Sequence, residues 1–170
     1  MARARVKRGA SKKPKGRGKT VARRPVQGRR ARSKAGARKQ GARTRRAGAA
    51  NAGMRAMAQR IIDVTLADDD QGMLALYDPA IESSEAGQPP MVGLDGIRGK
   101  LAGWRQMVTD TSFEPRRVLV DGNVIVIEWL GRVTLAASGR QAELHEIAVH
   151  EIANGKIVRE AYFYNPAALA

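Results

Sequence analysis

The sequence predicts an α+β domain, in which a curved antiparallel sheet is packed on three N-terminal helices behind a disordered basic tail. Three observations predict it. Charge is partitioned: the first 53 residues hold 20 Lys and Arg and no acid, so of 31 basic and 16 acidic residues the other 117 keep 11 and all 16. Apolar residues recur with helical spacing up to about residue 108 and alternate with a period of two thereafter. Turn dipeptides, Asn154-Gly155 above all, divide that second half into strands joined as hairpins.

Residues 1–53 have Met1, Val6, Val21 and Val26 as their sizeable apolar side chains, and every aromatic residue of the chain follows residue 76. Such a segment cannot bury enough surface to offset an ordering cost of ~1–2 kcal/mol per residue, so it is expected to be disordered. Its cations include Lys12, Lys13, Lys15, Arg17, Lys19, Arg23, Arg24, Arg29, Arg30, Arg43, Arg45 and Arg46, set among Gly, Ala, Ser and Pro. In composition the segment resembles the terminal tails of linker histones and histone-like nucleoid proteins. Contact with DNA or RNA would run through counterion release at phosphates, would weaken with salt, and would read no bases. Two other readings stand beside it: a solvated or membrane-surface polycation, and translation of a GC-rich region upstream of a start at Met54 or Met57. Arg- and Ala-rich composition is also that of a transit peptide, but no amphipathic stripe accompanies it.

Residues 54–170 suffice for one core. Met57, Ile61, Ile62, Thr65 and Leu66 form one face of a helix over 54–67. Asp68-Asp69-Asp70 offers N-cap carboxylates to a second helix, which buries Met73, Leu74, Leu76 and Tyr77 and stops at Pro79. Residues 80–84 are a short strand. Asp95 is the expected cap of a third helix with the face Ile97, Leu101, Trp104 and Val108. Strands follow over 113–120, 124–137, 142–153 and 156–164. The turns between them are Asp121-Gly122-Asn123, Ser138-Gly139 and Asn154-Gly155. Absence of cysteine excludes disulfides and thiolate catalysis. The two histidines stand in no metal-ligand spacing, and no apolar run reaches the ~20 residues that span a bilayer.

Four motifs, Leu66-Ala67-Asp68-Asp69-Asp70, Ala75-Leu76-Tyr77-Asp78-Pro79, Gly93-Leu94-Asp95-Gly96-Ile97-Arg98 and Asn154-Gly155-Lys156-Ile157-Val158, stand in an order and spacing that resemble the nuclear-transport-factor-two-like superfamily. Within it the resemblance is to the SnoaL-like polyketide cyclases and steroid delta-isomerases, over nearly all of residues 54–170. It implies a cystatin-like fold, a cone-shaped α+β barrel. It implies a pocket for an apolar cyclic compound, polyketide- or steroid-like, with general acid–base isomerase or cyclase chemistry in some members and plain binding in others. It implies no cofactor. In the isomerase pattern the oxyanion-stabilising acid falls at Ala148, and the general base near Ser84 with Glu82 and Glu85 beside it, so neither acid is cleanly present.

Two-residue turns at both hairpins would pair His150 with Ile127 and with Arg159. One sheet face then gathers Ile125, Ile127, Trp129, Glu146, Ala148, His150, Ile152, Arg159 and Phe163. The other gathers Glu128, His145, Val149, Glu160, Tyr162 and Tyr164. The first, more apolar face is expected to be concave and helix-covered, with His150 and Glu146 as candidate catalytic groups. The candidate pocket lining is Tyr77, Trp104, Trp129, Ala148, Ile152, Arg159 and Phe163, and Arg159 beside His150 would disfavour its protonated form. A one-residue slip in either hairpin exchanges the faces. The alternative to a ligand domain is a nucleic-acid-associated homodimer that presents two tails, cytoplasmic or on the nucleoid.

Overall fold

The computed structural model describes residues 49–170. The tail cations named above, from Lys12 to Arg46, lie outside the described residues. Helix α1 covers residues 49–66, including residues 49–53 that composition had placed in the tail. It buries Met57, Ala58, Ile61 and Ile62, while Leu66 at its end is exposed. Asp68, at φ 56°, reverses the chain, a conformation Asp tolerates better than most residues. Asp69 then caps α2 (Asp70–Leu76), accepting the Gly72 N–H at 2.9 Å.

Strand β1 (Tyr77–Ser84) follows without a loop. The helix stops at Leu76, before Pro79 is reached, and Tyr77, expected on the helix, opens the strand; Pro79 lies within β1, where its ladder is irregular between Tyr77 and Glu82. β2 (Met91–Val92) pairs with β1 and leads into α3 (Gly93–Met107). Asp95 does not cap α3: Val92 occupies that position without a side-chain bond, and Asp95 in the first turn pairs with Arg98 at 2.7 Å. β3 (Val108–Asp121) starts five residues earlier than alternation suggests, so Val108 belongs to the strand. β4 (Val124–Leu135), β5 (Gln141–Ala153) and β6 (Lys156–Phe163) complete a six-stranded sheet in the order β2-β1-β6-β5-β4-β3. The sheet is curled and open, with the helices packed against it. It is not wholly antiparallel, because β1 runs parallel to β6.

The two hairpins depart from the expected register in different ways. Between β4 and β5 the ladder closes at Thr134 and Gln141, leaving a loop longer than two residues, so His150 faces Ile125 rather than Ile127. A slip of two positions keeps every side chain on its face. Between β5 and β6 the Asn154-Gly155 turn forms as expected, with both residues at positive φ (52° and 74°) as a two-residue hairpin requires. Ile152 then pairs with Ile157. Beyond that pair an extra residue, Val158, enters β6, and Glu151 faces Arg159 while His150 faces Glu160. This bulge shifts the ladder by one, which turns over the rest of β6. Glu160 and Tyr162 point into the concave side. Arg159 and Phe163 point out, with Phe163 57% exposed. The pairing of His150 with Arg159 and the outer-face placement of Glu160 and Tyr162 are thereby corrected.

The core lies between the concave face and the helices, with Ile61, Leu76, Ile81, Ile97, Ile125, Ile127, Ala148 and Ile157 fully or almost fully buried. Gly131 on β4 faces Phe113 on β3, and a Cβ there would stand 2.8 Å from the phenyl ring. That ring packs at 6.3 Å against Trp104 and edge-on at 6.1 Å against Trp129. Gly131→Ala must therefore displace an aromatic stack, and it is expected to cost about 1–3 kcal/mol. A lower urea midpoint at unchanged m, with an altered near-ultraviolet aromatic signal, is the readout.

Candidate functional site

The concave face and the helices enclose a cavity of about 460 Å³. Ile61 and Val64 of α1, Met73 of α2, Leu101 and Trp104 of α3, Phe113 of β3, Trp129 of β4 and Leu144 of β5 supply its apolar wall. The polar groups are few and come from separate elements: Glu85 after β1, Lys100 on α3, Glu146 and His150 on β5, Tyr162 and Tyr164 at the end of β6, and the Asp68–Asp70 turn with Arg105. An apolar cleft of this size with convergent polar groups is the usual make-up of a small-molecule site.

One charged cluster underlies the cavity. Glu160 is buried, its side chain wholly so, and accepts hydrogen bonds from Tyr77 at 2.8 Å, Ser83 at 2.7 Å, Tyr162 at 3.1 Å and Lys100 at 3.1 Å. Burial by itself would raise its pKa. The Lys100 charge, His150 and the Ser83 hydroxyl outweigh burial and hold it well below the usual carboxylate range. Tyr77 and Tyr162 move the other way, pushed far up by burial and then by the Glu160 charge, so both phenols stay neutral donors. Lys100 also pairs with Glu85 at 2.6 Å and lies 3.8 Å from the Tyr162 ring centroid.

Two groups in the cavity are left without such partners. His150 is 1% exposed, and neither ring nitrogen has a hydrogen bond; its Nδ1 lies 3.5 Å from Glu160, beyond a well-formed bond. No described residue hydrogen-bonds or pairs with Glu146, whose carboxyl is raised to about 7 by burial and then by the charge of Glu85, against the opposing effect of Lys100. Glu146 and His150 stand four residues apart on one strand face, on the order of 13 Å, so no proton passes directly between them. Among the described residues no cluster of three or more His, Asp or Glu is placed to hold a metal ion, and no helix is long and apolar enough to cross a membrane.

Of the residues singled out from sequence, Glu146, His150, Trp104 and Trp129 line the cavity. Tyr77 is drawn into the Glu160 cluster, while Ala148 and Ile152 are core residues beneath the cavity wall. Arg159 and Phe163 are on the far face, where Arg159 lies 3.4 Å from Glu151 and 4.0 Å from Glu82. Tyr164, expected on the outer face, lines the cavity, while His145 is exposed beside Glu143 at 3.0 Å. Sequence reasoning missed Lys100, Phe113, Tyr162 and Glu160 as site residues. Lys100 had a signal, since it stands one helical turn before Trp104 on the same face. Glu160 and Tyr162 had none, because their inward orientation depends on the bulge at Val158.

A family model described as a SnoaL-like domain matches residues 58–160, more than half of the chain. Curated proteins supply no significant match. Among solved structures the chain is similar to a putative SnoaL-like polyketide cyclase from Jannaschia sp. CCS1, at 14% identity and TM-score 0.64 over 69% of this chain and 89% of that one. It is similar to a protein named TerC, co-crystallised with polyporic acid, at 19% identity and TM-score 0.61 over 68% of this chain and 94% of that one. It is also similar to AclR, a putative hydroxylase from Streptomyces galilaeus, at 14% identity and TM-score 0.60 over 69% and 78%. At these identities the structures speak for a shared fold.

Proposed function

The chain belongs to the SnoaL-like domain family, and from that premise we propose that the domain binds a small apolar cyclic compound, polyketide- or steroid-like, in the cavity between its helices and sheet. The observation that carries the reading is the cavity itself: about 460 Å³, mostly apolar, lined by His150, whose buried ring nitrogens make no hydrogen bond, and by Glu146. Polar groups left unpaired in an otherwise satisfied interior are what a ligand's own polar atoms complete. The chemistry available is proton transfer. Glu146, titrating near 7, sits where a general acid or base is most effective at neutral pH. Ala148 puts no acid where the steroid-isomerase pattern has one, which argues against that reaction and leaves cyclase-type proton transfer or binding alone.

The test is ligand-induced stabilisation of the full chain by tri- and tetracyclic ketones, phenols and quinones. A fitting compound at 100 times its Kd adds about 2.7 kcal/mol, several degrees in Tm. His150→Ala is expected to reduce that shift for ligands with a hydrogen-bonding atom. A cooperative melt that no compound in the panel moves would count against a ligand site.

To this domain the proposal adds a polyanion-binding segment, residues 1–53, on the strength of its 20 cations without an acid. Undiminished, salt-sensitive DNA retention after deletion of those residues would remove that part.

A further inference from the structure

The charges of the cavity are unbalanced, and the imbalance selects a ligand chemistry. Its lining carries five carboxylates, Asp68, Asp69, Asp70, Glu85 and Glu146, against two cations, Lys100 and Arg105. Both cations are already engaged twice: Lys100 by Glu85 and Glu160, and Arg105 by Asp68 and by Asp70 at 2.7 Å. Neither is left to receive an anionic ligand. Glu146 is the converse, a carboxyl facing the cavity with no cation of its own, and Trp129 is its cross-strand neighbour on β4. Trp104, Phe113 and Tyr162 complete an aromatic wall, and aromatic faces attract cations. His150 is the independent sign that a ligand fills this space, since it is almost wholly buried in the cavity lining and unsatisfied at both ring nitrogens.

We propose that the ligand is an apolar ring compound bearing a basic amine, with its ammonium group at the Glu146 carboxylate and its rings along the Trp104–Phe113–Trp129 wall. At the far end of the cavity His150 takes a hydrogen-bonding atom of the same molecule. This rests on the small-molecule reading above and narrows it: an acid is excluded, and a neutral ring compound binds less well than its amine. An ammonium group supplies Glu146 with the counter-charge that neither Lys100 nor Arg105 is free to give. Besides those two, the charged and titratable groups facing Glu146 are Glu85 from the segment after β1, Glu160, Tyr162 and Tyr164 from β6 and its end, and His150 on its own strand.

The test is fluorescence titration of the full chain with three matched probes, 9-(aminomethyl)anthracene, 9-anthracenemethanol and anthracene-9-carboxylate, at pH 8 and pH 6. The amine is expected to bind at least about ten-fold tighter than the alcohol at pH 8 and the carboxylate weakest. That preference should shrink about ten-fold at pH 6, where Glu146 holds its proton. Glu146→Gln should abolish the preference while alcohol binding persists, which also shows that the variant is folded. Alcohol binding as tight as amine binding at pH 8, or a carboxylate preference, overturns the amine proposal and leaves the pocket intact. Failure of all three probes overturns the pocket reading and the amine proposal with it.

Discussion

Glu160→Ala is expected to destabilise the domain by about 3–5 kcal/mol, the cost typical of removing one partner from a buried charge network. The side chain is fully buried and is the common acceptor for Tyr77, Ser83, Tyr162 and Lys100. Its loss takes the acceptor from two phenols and from the Ser83 O–H, leaves Lys100 with Glu85 and the Ser83 oxygen, and opens a void where Glu160 packs beside β1. Glu160→Gln keeps the volume and part of the hydrogen bonding, so it should cost clearly less; equal costs would show that volume, and not the network, is what matters. The pH dependence has a defined sign. Because the folded-state pKa lies below the unfolded value, the contribution is present above the ordinary carboxylate range and is lost as pH falls below it. Acid unfolding of Glu160→Ala should therefore be less steep below about pH 4.5 than that of the parent. Chemical denaturation from pH 3 to pH 7 measures both quantities. A cost under about 1 kcal/mol would mean that the cluster is not what holds β1 to β6.

Glu146→Gln is expected to stabilise the protein above neutral pH. The carboxyl is raised from 4.5 to about 7, chiefly by burial and then by the Glu85 charge. Folding therefore favours its protonated form. Below the unfolded value both states hold the proton and nothing is lost. As pH rises from 4.5 through 7 the unfolded chain releases its proton first, and stability falls by an amount on the order of 3 kcal/mol that stays lost above it. A glutamine does not titrate, so the variant's advantage should grow by that order between pH 4 and pH 8. Denaturant midpoints at the two pH values decide it, and a pH-independent difference would show that Glu146 does not carry the strain. A half-buried carboxylate kept at such a cost, in a cavity and without an ion-pair partner, is the usual sign of a group held for function rather than for stability.

Much of the fold was legible along the chain. The change of hydrophobic period near Val108, an acidic cap from the Asp68–Asp70 turn and the Asn154-Gly155 turn are local signals, each acting within a few residues, and the structure has all three, with Asp69 as the cap. Spacing alone placed most of the α1 and α3 faces, so Ile61, Ile97 and Trp104 were found at the core or the cavity, while Leu66 is exposed and Val108 lies in β3. The errors were non-local. Asp95 has the right residue type for a cap, but the chain enters α3 from a strand pairing at Val92 that sequence does not show. The bulge at Val158 was invisible because residues 161–164, Ala-Tyr-Phe-Tyr, are apolar on both faces and fit either register. Consequently Arg159 and Phe163 were assigned to the cavity while Glu160 and Tyr162 were assigned away from it.

Composition, period and turn chemistry thus determined that this chain contains an α+β domain, the order of its main helices and strands, and that His150 and Glu146 share a sheet face. These properties depend on neighbours in sequence, where spacing is set by covalent geometry. Only the tertiary structure decided that Glu160 faces His150, that Lys100 is divided between two carboxylates, and that Glu146 forms no ion pair with it. Such facts depend on a single-residue shift in one ladder and on the docking of α3 across the sheet. A two-fold alternation turns one extra residue into an exchange of inside for outside, and nothing local to Val158 announces it.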